Sequence, residues 1–159
     1  MSTVAIYNED NLSLGAVAFI KSTYGQMPIR NISDSYEVTK NITHFITATS
    51  NRLGIKEALN NLDKADITEM LLTKYKSLSF DEIYYAFKME RYGDLGERIQ
   101  HFQLFNAEYV SQVLDKYVAW KRKIKMEHNI SEAKKQPTAT EKEKQYWINR
   151  GVTECIEYY

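Results

Sequence analysis

Cysteine, proline and glycine are scarce in this chain, and neither sign of charge prevails. The 159 residues include one Cys, two Pro and six Gly, and 21 basic side chains balance 21 acidic ones. The single cysteine, Cys155, excludes an internal disulfide framework and predicts a reducing, cytoplasmic setting. The net charge of zero excludes the overall basic footprint of a typical nucleic-acid-binding protein. Because helix breakers are so few, we expect long helices rather than many short strands.

Patterns typical of catalysis, metal binding and membrane insertion are also absent from the sequence. The six glycines have neither P-loop nor dinucleotide-binding spacing, and no nucleophile-elbow motif surrounds a serine. The three histidines, His44, His101 and His128, are too widely spaced to form a zinc site with Cys155. The apolar run of residues 14–20 is too short to cross a bilayer. We therefore expect a protein without enzymatic activity, cofactor, metal or membrane contact.

The hydrophobic pattern predicts an all-α fold with three parts. Residues 1–126 are expected to form a compact single helical domain, and residues 127–137 a short polar linker. An amphipathic C-terminal helix over residues 138–159 begins with a capping box from Thr138 to Glu141. No stop signal follows, so this helix is expected to reach or pass the end of the chain.

The clearest helix signals lie in the second half of the chain. Ser79 and Glu82 form a capping box, and Gly93 marks where that helix should end. Asn106 then caps the longest helix, which is expected to fray after Met126. Its buried stripe has apolar residues at steps of three and four: Val110, Val113, Leu114, Tyr117, Trp120 and Ile124.

The first half of the chain has weaker signals. Residues 12–20 fit either a short helix or a buried extended segment. A second helix is expected to begin at Ser33 or Ser35 and to stop at Gly54. A short helix over residues 55–62 should follow.

Two further elements complete the predicted domain. Asp66 and Glu69 resemble the start of another helix, with an Asp cap answered by a Glu. Residues 97–105 predict a compact extended connection that Phe102 and Phe105 hold against the core.

A group of basic residues in the longest helix is the best functional signal. It consists of Lys116, Lys121, Arg122, Lys123 and Lys125. Lys116 and Lys123 lie at one edge of the apolar stripe, whereas Lys121 and Lys125 lie at the other. The group can therefore contact phosphates or an acidic partner, or it can form a solvated rim whose aliphatic stems cover the core. Nearby candidates for stacking on bases or filling a partner groove, or for ordinary packing, are Tyr84, Tyr85, Arg91 and Tyr92.

The order of these segments resembles a known family. The segment over residues 75–88, then Arg91-Tyr92-Gly93, and then residues 105–121 are similar to small phage and mobile-element proteins of Bacteroidota-type bacteria. The shared order is a leucine-rich helix, an aromatic helix, a Tyr-Gly turn and a long helix with a basic end. The resemblance covers roughly residues 70–125 and implies a role beside phage replication genes, in the bacterial host cytoplasm. It transfers no active-site residue.

Three functional hypotheses follow. The first is a phage or prophage replication accessory protein, of the helicase-loader or primosome-adaptor type, that binds a replicative helicase or single-stranded DNA. The second is a host-takeover or anti-defence inhibitor that binds and blocks a bacterial protein. The third is a virion-associated structural protein that assembles through its last helix, and an oligomer is compatible with all three.

Overall fold

The structure is a computed structural model that describes residues 8–56 and 59–130. This part of the chain contains five α-helices and no strand, so the predicted all-α fold is confirmed. The helices are α1 (Ala16–Thr23), α2 (Ser35–Arg52), α3 (Asn61–Thr73), α4 (Phe80–Tyr92) and α5 (Ala107–Glu127). All five belong to one compact unit, Met1–His128. The linker prediction beyond residue 130, the helix predicted over 138–159 and Cys155 lie outside the described residues.

α4 and α5 begin where the sequence signals them. The Ser79 hydroxyl accepts a hydrogen bond from the Glu82 N–H, and the Glu82 carboxylate accepts one from the Ser79 N–H, both at 3.1 Å. α4 ends at Gly93, whose φ of 79° lies in the left-handed region that favours glycine. Asn106 Oδ1 accepts the Tyr109 N–H at 2.9 Å and caps α5. The predicted capping box, helix end and second cap are therefore confirmed.

The helix predicted over residues 55–62 is wrong. α2 ends at Arg52, and Gly54 then takes a φ of 76°, which turns the chain out of the helix. The Ile55 N–H donates to the Ser50 carbonyl at 3.1 Å, and the Ile55 side chain is buried. Burial of this one apolar side chain beyond a glycine turn therefore replaces the first turn of the predicted helix.

The predicted helix start at Asp66 is also wrong. Asn60 Oδ1 accepts the Asp63 N–H at 2.7 Å, so α3 begins earlier and Asp66 lies inside it. Asn and Asp are similarly good caps, and the local sequence could not choose between them. Ile67 and Leu71 are the α3 residues that lie in the core.

The residues before α1 run along α4 as an N-terminal strap, defined as residues 8–14. Its middle forms a 3₁₀ turn, Glu9–Ser13, and α1 then takes up residues 16–20, so the helical alternative for residues 12–20 is the one that the structure shows. Four hydrogen bonds hold the strap: Asn8 N to Asp81 Oδ1 (3.0 Å), Asn11 Nδ2 to Asp81 Oδ2 (2.7 Å), Tyr85 OH to Leu14 O (2.8 Å) and Lys88 Nζ to Leu12 O (2.6 Å). The strap therefore satisfies polar groups that α4 would otherwise bury without partners.

α4 lies at the centre of the domain and is buried around most of its circumference. Its buried residues are Phe80, Asp81, Glu82, Ile83, Tyr84, Tyr85, Ala86, Phe87, Met89 and Glu90. Phe87 packs edge-on against Phe45 of α2, with ring centroids 5.2 Å apart, and lies 6.1 Å from the Phe105 ring. A helix in this position needs internal partners for its buried charged side chains, which are Asp81, Glu82 and Glu90.

The connection between α4 and α5 is held by one phenylalanine rather than two. Phe105 is 2% exposed, as predicted, whereas Phe102 is 78% exposed. Phe102 and Gln103 both have positive φ, 53° and 62°. The connection is therefore a bent loop rather than an extended segment, and this bend places Phe102 in solvent.

Candidate functional site

Lys121 of the predicted basic group is bound inside the domain. Its Nζ contacts Glu82 Oε2 at 2.5 Å, and the Tyr117 hydroxyl donates to the same oxygen at 2.6 Å. Glu82 is 3% exposed, and its other oxygen belongs to the Ser79 capping box. Burial and the negative charge of Glu82 raise the pKa of Tyr117 well above its usual value, so its hydroxyl stays protonated and donates. Lys121 is therefore a structural residue that fastens α5 to α4.

Lys116 has an equivalent role. Its Nζ contacts Glu90 Oε1 at 2.7 Å and also donates to the Glu97 carbonyl at 2.8 Å. Glu90 is 2% exposed, and its second oxygen accepts the Ile99 N–H at 2.6 Å. The pair therefore joins α4, α5 and the start of the connecting loop. Together, Lys116 and Lys121 neutralise the two buried glutamates of α4.

The other three basic residues of the predicted group point outward and form what we call the basic tip: Arg122, Lys123 and Lys125. Lys123 makes only a long contact of 4.0 Å with Glu127, and both side chains are more than half exposed. Lys125 lies 5.0 Å from the centroid of the Tyr24 ring, a cation–π geometry. Within the described residues, Arg122 has no hydrogen bond or ion pair. The positive charge of the basic tip is therefore not neutralised by a buried carboxylate, unlike that of Lys116 and Lys121.

Tyr84 and Tyr85 are core residues, and the prediction that they stack on bases or on a partner is wrong. They are 3% and 6% exposed. Tyr84 packs edge-on against Phe45, with centroids 5.6 Å apart. Tyr85 stacks on Phe19 at 3.7 Å, and its hydroxyl donates to the strap. Because α4 is central rather than peripheral, both faces that carry these rings are covered.

Arg91 and Tyr92 keep part of their side chains at the surface, but they line different clefts. Tyr92 is 62% exposed and lies beside Lys88, whose Nζ is 5.7 Å from the Tyr92 ring centroid. Arg91 is partly buried at the opposite side of the turn that ends α4. These two neighbouring candidates therefore do not contribute to the same cleft.

Arg91 instead belongs to a cationic cleft that the sequence did not reveal. We call it the arginine cleft and define it by Arg52, Arg91 and Arg98. Its volume is about 300 Å³, and its walls also include Leu53, Glu90, Ile99, Gln100, His101 and Tyr109. The three arginines come from the end of α2, the end of α4 and the connecting loop. No local sequence pattern links these three positions, so the cluster could be found only from the folded structure.

An exposed apolar pair lies on the same connecting loop, and we call it the loop tip. It consists of Phe102 and Leu104, which are 78% and 56% exposed. The Gln103 N–H donates to His101 Nδ1 at 3.0 Å, and the Leu104 N–H donates to the His101 carbonyl at 2.8 Å. These bonds fix the bend that presents both apolar side chains to solvent. Apolar groups fixed in this way are typical of protein contacts.

The described residues offer no metal site, since no three of their His, Cys, Asp and Glu side chains are grouped in a way that could hold an ion. None of the helices described in the chain is both long and apolar enough to cross a bilayer. No protein-family model, curated protein or solved structure matches this sequence. The resemblance to phage and mobile-element proteins therefore stays a prediction, and function must be argued from the geometry.

Proposed function

We propose that this protein is a non-enzymatic accessory factor of phage or prophage replication. It acts in the host cytoplasm as an adaptor of the helicase-loader or primosome type. Its basic tip, Arg122, Lys123 and Lys125, contacts an acidic surface of a replicative helicase or the phosphates of single-stranded DNA.

The observation that carries this proposal is the division of the basic residues of α5. Lys116 and Lys121 each contact a glutamate that is almost fully buried, at 2.7 and 2.5 Å. Arg122 and Lys123 are exposed and have no buried partner within the described residues. The fold therefore accounts for the first two cations and leaves the basic tip available to a partner.

The basic tip is also a local exception in a neutral chain. A neutral protein gains little from long-range attraction to nucleic acid, so binding has to depend on a concentrated patch. For single-stranded DNA, each neutralised phosphate contributes about 0.7 to the slope of log affinity against log salt. A three-cation patch therefore gives a measurable but modest salt dependence, which suits a secondary contact beside a protein partner.

Charge reversal tests this proposal. The variant R122E/K123E/K125E is compared with K40E/K64E/K76E, which reverses three exposed lysines elsewhere and changes the net charge equally. Each tagged protein is used to capture partners from host lysate at low and moderate salt, with and without nuclease. We expect the wild type and the control to recover replicative helicase or nuclease-sensitive DNA, and the tip variant to lose it.

Capture by the tip variant at the wild-type level would contradict the proposal. Lys121 must stay intact in this experiment. Its loss leaves Glu82 without its cation, so a failure to bind would then report unfolding rather than a lost contact.

A second function is favoured by the loop tip. Phe102 and Leu104 present apolar surface from a loop whose bend is fixed by hydrogen bonds to His101. This arrangement suits a host-takeover or anti-defence inhibitor that binds and blocks one bacterial protein. For that function, F102S/L104S loses a single nuclease-resistant partner that R122E/K123E/K125E retains. The opposite pattern favours the replication adaptor.

A further inference from the structure

The arginine cleft gathers three guanidinium groups from three separate elements. Arg52 lies in the last turn of α2, Arg91 in the last turn of α4, and Arg98 in the loop that follows. Arg98 is held in place because its Nε donates to the Arg91 carbonyl at 3.0 Å. Its guanidinium also packs over the α4 turn, 3.5 Å from the position that a Cβ on Gly93 would occupy. The cluster is therefore built by the fold.

The positive charge of the cleft is not cancelled by the protein. Among the described residues, none of the three arginines forms an ion pair. Glu90 is the only acidic residue among the described ones that lines the cleft, and its two oxygens are already bound to Lys116 Nζ and the Ile99 N–H. Burial and the like charge of Arg52 lower the pKa of Arg91, although an arginine stays charged at neutral pH. The cleft thus holds like charges together at an energetic cost that a bound anion would relieve.

Aromatic groups in the cleft add a ring surface and a donor. The rings of His101 and Tyr109 meet edge to face, with centroids 5.7 Å apart. Burial and the charge of Glu90 raise the pKa of Tyr109 to about 12, so its hydroxyl is protonated and can donate. The volume of about 300 Å³ lies at the small end of ligand sites and suits one nucleotide-sized group better than a continuous strand.

We propose that the arginine cleft binds a terminal phosphate, the monoester group of a nucleotide or of a nucleic-acid end. Guanidinium forks match phosphate oxygens in geometry, and three of them suit a dianionic monoester better than the single charge of an internal diester. The aromatic pair provides a surface for the attached base or sugar. This site is distinct from the basic tip, since Tyr109 and Arg122 are about 20 Å apart along α5 at 1.5 Å per residue.

The proposal is tested by titrating the protein with inorganic phosphate, adenosine monophosphate and adenosine at constant ionic strength. Backbone amide shifts in nitrogen–proton correlation spectra report binding at Gly93, Ile99 and His101. We expect both phosphate compounds to shift these amides, adenosine monophosphate to bind more tightly, and adenosine alone to have no effect. Absence of a response to both phosphate compounds, or an equal response to adenosine, would overturn the proposal.

Matched variants locate the binding. R52Q removes an exposed arginine that has no hydrogen-bond partner among the described residues, and R98Q removes a second member of the cleft. Loss of a charged hydrogen bond should weaken binding by about tenfold or more in each variant. R30Q removes an exposed arginine elsewhere and should bind as the wild type does. If R98Q fails to fold, R52Q still decides, and unchanged affinity in R52Q would refute the assignment.

Two further comparisons separate this proposal from the proposed function and identify the source of the phosphate. R122E/K123E/K125E should keep the phosphate response whether or not it loses its partner. Equal weakening in that variant would show a response to overall charge, which would count against the cleft. A short oligonucleotide with a 5′-phosphate that binds more tightly than its 5′-hydroxyl form identifies a nucleic-acid end as the ligand, whereas equal binding identifies a free nucleotide.

Discussion

We call the two ion pairs Glu90–Lys116 and Glu82–Lys121 the α4–α5 seam. The seam and the arginine cleft both contain charged side chains, but their roles differ. In the seam, Lys116 and Lys121 each contact a buried glutamate, so the charges cancel where water is excluded. In the cleft, Arg52, Arg91 and Arg98 lie together, and the one acidic side chain beside them is already occupied. Paired charges in the seam fix the fold, whereas uncancelled charges in the cleft are suited to a ligand. A buried carboxylate partner therefore distinguishes the structural cations of the seam from the three arginines that we propose as a ligand site.

The largest expected effect comes from removing a seam carboxylate. Glu82→Ala eliminates the partner of Lys121 and Tyr117 and also breaks the Ser79 capping box. We expect a loss of about 3–5 kcal/mol in the free energy of unfolding, because two partly or fully buried polar groups lose their acceptor. Urea denaturation followed by circular dichroism measures this loss. Glu69→Ala, at an exposed position of α3, serves as the control, and an equal effect in both variants would contradict the assignment.

Removing a seam cation should have the next largest effect. Lys116→Ala leaves Glu90 with one hydrogen bond, to the Ile99 N–H, and without its neutralising charge. We expect a loss of about 1–3 kcal/mol or more, measured by the same urea titration. Lys123→Ala is the matched control on α5, since Lys123 makes only an exposed contact. Similar stability in the two variants would contradict the claim that the Lys116–Glu90 ion pair stabilises the fold more than the exposed Lys123–Glu127 contact does.

Asp81 is a buried acid that forms no ion pair with any of the described residues. Its bonds to Asn8 and Asn11 lower its pKa, but burial has the larger effect and raises the pKa above its usual value. A group whose pKa is raised in the folded state favours folding when protonated, and this contribution is lost as pH rises through the folded pKa. The free energy of unfolding of wild type relative to Asp81→Asn should therefore increase as pH falls from 7 toward 4. Urea titrations across this range measure the difference, and a decrease would show that the opposite shift dominates.

The smallest stability effect is expected in the cleft. Arg52→Gln removes a charge that repels Arg91, and it also removes a favourable cation from the last turn of α2. The two contributions oppose each other, so the free energy of unfolding should change by no more than about 0.5 kcal/mol. The same variant should bind phosphate about tenfold more weakly, or weaker still. A large loss of stability would show that Arg52 has a structural role like that of the seam lysines, and it would contradict the difference between the two regions.

The sequence predicted the parts of this fold that depend on neighbouring residues. The capping box at Ser79 and Glu82, the turn at Gly93 and the cap at Asn106 each act within a few positions, so local chemistry is enough to identify them. The start of α3 was misplaced because Asn60 and Asp66 are both good caps, and only core packing decides between them.

The candidate sites were harder to predict because they depend on contacts across the chain. The helical wheel placed Lys116 and Lys121 at the rim of the α5 stripe, but it could not show that a buried glutamate faces each of them. For Tyr84 and Tyr85 the sequence left both partner contact and ordinary packing open, because the central position of α4 is a property of the assembled domain. Convergence of three arginines from three elements is likewise invisible before folding.

The N-terminal strap has a consequence for the order in which the domain is completed during translation. Residues 8–14 are made before their hydrogen-bond partners, which lie 70 to 76 positions later, at Asp81, Tyr85 and Lys88. The strap therefore cannot dock until α4 has been synthesised. Contacts of such long sequence separation slow folding, because a large loop must close before they form. The strap is thus made before α1, α2 and α3, but it waits for α4 before its side-chain and backbone hydrogen bonds can form.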